Sequence, residues 1–492
     1  MRNHRFMSLA RVPFSAALAL ALAGFLPSDG KKISITTKSP AAKEAYLKGR
    51  DLQERLQGQE SLQYFEKAIA ADPNFAMAYL NLANSQPTAK GFFEQLNKAV
   101  ALAGKASEGE RLWILGVQAG VNGDPMKQRE YYQKLVAVYP EDERAHNLLG
   151  NHFFGQQEFP QAIAEYNKAT GIAPDFSQPY NQLGYSYRAL ENYAEAEKAF
   201  RKYVELIPND PNPHDSYAEF LLKVGRFDES IKHYQAALAQ NPNFVASYIG
   251  IATDLSLQGK YQQARAQLQK LYDNARNDGE RRAALFAETV TYIDEGNVET
   301  ALAKMEKQYA LGEKINDAAA MAGDLGTIGN ILYEAGNYDE ALVKYEKALE
   351  VTVASDLSRE IKENAKRGQL YNAGRIALMK QDLAAAKAKS KEFLAQAEAA
   401  QNTFQIWLAH ELAGTIALQE KNFDQALEHF QKSNQQNPYT LYRLALAQEG
   451  KGEVKKAKEQ YLKAARFNAL NNINYAFMRK KAEQKLTAMS KS

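Results

Sequence analysis

The sequence has no cysteine among its 492 residues, which removes disulfides, thiolate nucleophiles and zinc–thiolate sites together. Tryptophan is nearly missing as well, with 2 residues against 27 tyrosines, a mixture suited to thin layers of half-buried rings rather than one thick core. Glycine and proline, at 29 and 15, are too few for a low-complexity or disordered chain. Neither sign of charge dominates: 61 Lys+Arg face 58 Asp+Glu, and no basic block interrupts the sequence. That balance argues against nucleic acid as the main partner. Long apolar runs are absent but for one, from Phe14 to Leu26.

That run follows Arg2, Arg5 and Arg11 and contains the small–x–small triplet Ala21-Leu22-Ala23. A basic lead, a short apolar core and such a triplet predict an export signal and leader over residues 1–30, and hence a periplasmic or secreted protein. The run is shorter than the ~20 apolar residues of a comfortable span, so membrane attachment would come only from an uncleaved signal. Loss of the three arginines takes the formal net charge from +3 to zero. Residues 31–39 are polar and β-tolerant and read as a linker. Pro40 then opens the first helix, a favoured place for proline.

What the rest of the chain has is a period. Pro140, Pro174, Pro208 and Pro242 stand 34 residues apart at each step. Between them Leu149, Gly150, Ala162 and Tyr166 return as Leu183, Gly184, Ala196 and Phe200, and again as Tyr217, Ala218, Ser230 and Tyr234. Within each unit apolar residues recur every three or four positions, the stripe of an amphipathic helix. A helix of about 13 residues is unstable alone and must bury its stripe against its partner and the next unit. A fixed period of this length predicts a solenoid of helix–turn–helix units.

The same pattern, less regular, predicts an N-terminal array over 40–272 and a C-terminal array over 273–468, about twelve units in all. Small residues are expected where paired helices cross closely, Gly150 with Ala162, Gly184 with Ala196 and Gly329 with Ala341. The aromatic residues Tyr166, Phe200, Tyr234 and Tyr345 are expected to fill the gap toward the following unit. The unit at 279–313 is loosest and is expected to hold a bend. Residues 469–492 read as a capping helix and tail. In that helix Ile473, Tyr475, Phe477 and Met478 oppose Arg479, Lys480, Lys481 and Lys485, which suits a lid over the last apolar face.

These residues make the chain resemble the tetratricopeptide repeat family from about Ala41 to Phe467, most regularly over 143–271. The resemblance implies an all-α, right-handed α–α superhelix. Its first helices would line a concave groove that holds a protein or peptide, with no cofactor and no enzymatic activity. The unpacked face of the middle first helices offers Asn147, Asn151, Asn181, Tyr185, Arg188, Asp215 and Glu219 as peptide-binding residues. Asparagine both donates to and accepts from a peptide backbone, so it holds a chain with little regard to sequence. Members that clamp a C-terminal carboxylate do so with lysines and an arginine. Here Asn147, Asn151, Gln182, Asn212 and Ser216 stand at the matching positions without a cation, which argues against that specificity.

Little else suggests chemistry. The seven histidines lack metal-ligand spacing, and His146 and His214 fall on the inner stripe as packing residues. The cluster Gly323 to Gly329 lies inside a helical pattern and lacks the lysine of a phosphate loop. Lys387, Lys389 and Lys391 do not share one face and read as solvated surface. Asp215 and Glu219 form the one local acidic pair that an enzymatic site would need, four apart on a helix as on any solvated face. The expectation is an exported scaffold for a protein partner in the bacterial envelope. The alternatives are an array that packs on itself as a homo-oligomer, or the sensory part of a signalling system.

Overall fold

In a computed structural model that describes residues 32–490, the described chain forms 25 α-helices and no strand. The export signal expected over 1–30 lies outside the described residues. Twenty-four helices pair into twelve units, from Pro40–Glu54 with Gly58–Ala71 to Pro438–Gly450 with Val454–Ala465. A further helix, Ile473–Met489, follows. The all-α architecture, the number of units and the closing helix agree with the reading of the sequence.

Each unit closes over a ring. In unit 4 (143–172) a Cβ added at Gly150 would lie 2.5 Å from the Tyr166 ring. In unit 5 (178–206) one at Gly184 would lie 2.7 Å from Phe200, and in unit 9 (318–354) one at Gly329 would lie 2.5 Å from Tyr345. The expected alanines Ala162, Ala196 and Ala341 are fully buried. It is the aromatic residue of the same unit, however, that leaves no room for a side chain on the glycine. The rings also reach toward the following unit, as expected. Phe200 lies 5.6 Å from the Phe220 ring of unit 6, and Tyr345 accepts from Arg375 of unit 10. Tyr234 comes to 2.1 Å from a Cβ built on Gly250 of unit 7 (245–273). Its own unit has Ala218 in the glycine position, so its ring has no slot there. Gly184→Leu is expected to overpack the crossing and cost about 1–3 kcal/mol. A thermal melt followed by circular dichroism checks this, and an unchanged Tm contradicts the packing.

The loosest stretch of sequence is regular in structure. Unit 8 pairs Asp278–Glu295 with Val298–Lys314, helices of 18 and 17 residues against 12 and 14 in unit 5. The expected bend is not marked by any break there. Longer helices, not irregular ones, stretch the repeat beyond 34 residues and hide the period.

The superhelix stacks on itself, bringing together units five to seven apart. At unit 1, Gln57 donates to Asp210 at 2.9 Å, and Glu60 pairs with Arg276 at 2.7 Å. At unit 2 the Lys90 backbone N–H donates to Asp317 at 3.2 Å. The backbone carbonyl of Asn122, at the turn of unit 3, accepts from Asn364 at 2.8 Å, and its side chain accepts from Ser358 at 2.8 Å. Gln157 of unit 4 donates to Asn434 at 2.6 Å, and Glu191 of unit 5 pairs with Lys463 at 3.1 Å. Turns of the first superhelical coil thus rest on loops and helix starts of the second.

Residues 32–39 run extended across the starts of successive units. The Ile33 N–H donates to Asp142 at 2.8 Å, the Thr36 N–H to Glu110 at 2.9 Å, and the Thr37 hydroxyl to Asp72 at 2.6 Å. Lys32 forms an ion pair with Glu143. The linker of the sequence reading is therefore a strap tied at several points.

Candidate protein-binding groove

The inner stripe of units 4–6 carries the residues expected to bind a peptide, but it is not a bare solvent-facing ladder. Asn147, Asn181 and Asp215, one per unit and one period apart, are buried. The next unit reaches back to two of them. The Asn147 amide donates to Gln178 at 2.9 Å, and the Ser247 hydroxyl donates to Asp215 at 2.7 Å. This corrects the premise that the first-helix face stays unpacked, because polar side chains of successive units use it to tie themselves together. The Oδ1 atoms of Asn147 and Asn181 are buried without a partner. Burial, assisted by the charge of Glu219 and opposed by the Ser247 hydroxyl, pushes the Asp215 carboxyl up to about 7.

The remaining members are half-buried and already engaged. Asn151 accepts from the Tyr166 hydroxyl at 2.8 Å, a bond that unit 9 repeats with Tyr345 and Asn330 at 2.9 Å. Glu219 accepts from the Tyr185 hydroxyl and from Arg188, each at 2.8 Å, and Arg188 stacks 4.6 Å above the Tyr185 ring. Burial disfavours the charge of Arg188, but Glu219 and the Tyr185 hydroxyl together outweigh it and hold the guanidinium proton more tightly than usual. Tyr185, Arg188, Asp215 and Glu219 are thus brought together, whereas Asn147 and Asn151 belong to a separate cluster around Tyr166 and Gln178.

Two of the cavities left by stacking of the coils open on one ladder residue each. One of about 350 Å³ is lined by Asn151, Gln128 and Tyr132 on one coil and Asn402 and Phe404 on the other. The second, about 460 Å³, runs from Arg188 and Lys223 to Leu441, Gln460 and Phe467.

The concave face of the second half is occupied by the chain itself. The helix Ile473–Met489 packs Tyr475, Met478 and Ala482 on the last unit, which is the capping role expected of it. Its other side does more. Ile473, Ala476 and Phe477 pack among Ile293, Ile328, Leu332 and Ile376, residues of the first helices of units 8, 9 and 10. Arg479 is buried against Asp294 of unit 8, Nη2 to Oδ2 at 2.5 Å. Lys481 pairs with Glu334 of unit 9 at 2.8 Å, and Lys485 with Glu449 of unit 12 at 2.9 Å. Sequence reading missed this because it assigned the cations of that helix to solvent. The signal was present in its apolar residues, which are spread over more than one face.

His146 and His214 pack, as expected. His146 bridges Glu165 at 2.6 Å and the Pro140 carbonyl at 3.0 Å. His214 meets His233, and His410 meets His429, Nδ1 to Nδ1 at 3.3 and 3.1 Å. These three pairs share one repeat position, 19 residues apart in each case. Among the described residues no group of three or more His, Cys, Asp or Glu is placed to hold a metal ion. None of the described helices is long and apolar enough to cross a membrane.

Family models described as tetratricopeptide repeat match residues 117–175, 177–210, 221–288 and 325–354. No curated protein matches the chain. Among solved structures, MamA 41-end from Desulfovibrio magneticus RS-1 is similar at 12% identity and a TM-score of 0.29, over 34% of this chain and 93% of that one. The pilF protein of Pseudomonas aeruginosa is similar at 18% identity and a TM-score of 0.28, over 48% of this chain and 93% of that one.

Proposed function

We propose, from the premise that the chain is a tetratricopeptide repeat protein, that it is an exported, non-enzymatic scaffold holding a protein partner in the bacterial envelope. Repeats of this family are protein-interaction modules, which supports a protein as the partner. One observation carries the reading further. The concave face of the second half already grips a helical segment, its own residues 473–489, through an apolar ridge and the buried Arg479–Asp294 pair. A face that holds one segment this way is built to hold segments.

With units 8–10 covered by that helix, the partner is assigned to units 4–6, where Asn151 and Arg188 open into the seam cavities. Rotation of the amides of Asn147 and Asn181 would turn their unpaired oxygens toward a bound backbone, whose N–H groups would satisfy them. Export rests on the basic, apolar and small-residue pattern of the first thirty residues. Asn147→Ala combined with Asn181→Ala is expected to weaken capture of a protein from an envelope extract several-fold at unchanged helicity. Undiminished capture by the double variant removes the partner from units 4–6.

A further inference from the structure

The larger seam cavity has a charge that the protein-binding reading does not use. Four cationic side chains line its 460 Å³, Arg188, Lys223, Lys463 and Arg466, against one lining carboxylate, Glu191. Glu219 stands behind Arg188 and pairs with it, and Glu191 pairs with Lys463. That leaves Lys223 and Arg466. The Lys223 ammonium donates to the Phe467 carbonyl at 2.6 Å and sits 3.6 Å above the Phe467 ring, with no carboxylate bonded to it. Arg466 is exposed at the mouth. A half-buried ammonium satisfied only by a neutral carbonyl and a ring has lost hydration that no counter-ion restores.

The walls are not all polar. Tyr193, Leu441, Leu444, Leu462 and Phe467 line the same space, and Tyr193 and Leu462 remain 38% and 40% exposed. A volume of this size lies within the range that takes a small organic ligand, about 300–1,000 Å³. We propose that this seam cavity is a binding site for a small organic polycarboxylate. Its carboxylates would engage Lys223 and Arg466, and its carbon skeleton would lie on Leu462 and Phe467. The two cations reach the ligand differently: Arg466 offers a planar fork that suits a bidentate carboxylate, while Lys223 acts as a compact point charge. The site lies on two coils at once, since Lys223 belongs to unit 6 and Arg466 follows unit 12, so occupancy would also clamp the seam.

The proton affinity of Lys223 supplies a second readout. Burial first, and then Arg188, hold its pKa down to about 8, with Glu191 and Glu219 pulling the other way. Lys463 and Arg466 are the other cations around the cavity. A bound carboxylate would raise that pKa toward its ordinary value, so binding takes up a proton above pH 8 and almost none at pH 6.5.

The experiment is titration calorimetry of the full chain with citrate, and separately with inorganic phosphate, in two buffers of different ionisation enthalpy. Saturable citrate binding is expected, with proton uptake at pH 8.5, at least tenfold weaker in Lys223→Gln. Arg466→Gln, at an exposed side chain with no intramolecular partner, leaves folding untouched and should weaken citrate about fivefold, the loss of one charge-assisted contact. Absence of citrate binding up to about 10 mM, an affinity worth less than ~3 kcal/mol, overturns the site. So does an Arg466→Gln protein that binds as the parent does. Phosphate binding as tight as citrate overturns the organic ligand, because the apolar walls would then contribute nothing.

Discussion

Asp254→Asn is expected to stabilise units 6 and 7 at alkaline pH by several kcal/mol while changing little at pH 5. Asp254 is fully buried at the end of a first helix, and both of its carboxyl oxygens lack a hydrogen-bond partner. The hydroxyl of the nearby Ser230 spends its proton on the Ala218 carbonyl at 2.8 Å, so it has no donor left for a carboxylate. Burial is the main cause that pushes the Asp254 carboxyl up to about 8, and the charge of Asp228 adds to it. An unfolded aspartate titrates near ~3.9.

The sign follows from which state holds the proton. Between about pH 4 and pH 8 the folded chain keeps it and the unfolded chain releases it, so stability falls as pH rises through that window. At ~1.4 kcal/mol per pH unit the full loss is on the order of 5 kcal/mol by pH 9. Asp215, pushed up to about 7 by burial, adds a smaller loss over the lower part of the same window. Asparagine has no proton to lose and removes its share of the slope. Repeat arrays open piecewise, so the measurement is hydrogen exchange of amides in units 6 and 7 from pH 5 to pH 9, corrected for intrinsic exchange. A variant that keeps the parent's pH slope would show that Asp254 is ionised and solvated in the folded chain.

Most of the architecture was legible because one set of contacts is written into the sequence many times over. Gly150 beneath Tyr166, Gly184 beneath Phe200 and Gly329 beneath Tyr345 are the same contact repeated, and repetition separates signal from composition. The seam between coils had no such repetition. Gln57 with Asp210, Glu60 with Arg276 and Gln157 with Asn434 join polar turn and loop residues that any solvated surface would carry. Whether two coils touch depends on small rotations accumulated over about five to seven units, and no residue records that sum.

The candidate site shows the same limit. Position within a unit fixes which way a residue points, so the sequence groups these residues on one stripe. Exposure along it is not written there, because that depends on Gln178 and Ser247 of the next unit, which reach back to Asn147 and Asp215. Arg479 is the sharpest case. In sequence it stands beside Lys480 and Lys481 as one of a row of solvated cations, and in the fold it is the buried member.

Arg479→Leu is accordingly expected to release the terminal helix. The guanidinium bonds both oxygens of Asp294, Nε to Oδ1 at 2.9 Å and Nη2 to Oδ2 at 2.5 Å, and Asp294 also accepts from the Tyr261 hydroxyl at 2.8 Å. Burial disfavours the arginine's charge, yet Asp294 and then Glu483 more than offset this and raise its proton affinity above the usual. Leucine would keep the apolar contact but leave Asp294, 4% exposed, as a buried carboxylate without its cation. Breaking one side of such a pair costs about 3–5 kcal/mol, most of it the penalty of the stranded charge. That is comparable to what Ile473 and Phe477, both half-buried on units 8–10, gain together, since full burial of one such side chain is worth about 1.5–3 kcal/mol. Limited proteolysis should therefore cut near Phe467–Asn472 far faster in the variant, with the twelve units left intact. The double variant Arg479→Leu with Asp294→Leu removes both charges and should recover most of the protection, because the loss belongs to the unpaired carboxylate and not to the missing pair. Equal cleavage of the single variant and the parent would mean that the apolar ridge alone holds the helix in the groove. A double variant cut as fast as the single one would instead assign the anchoring to the ion pair itself.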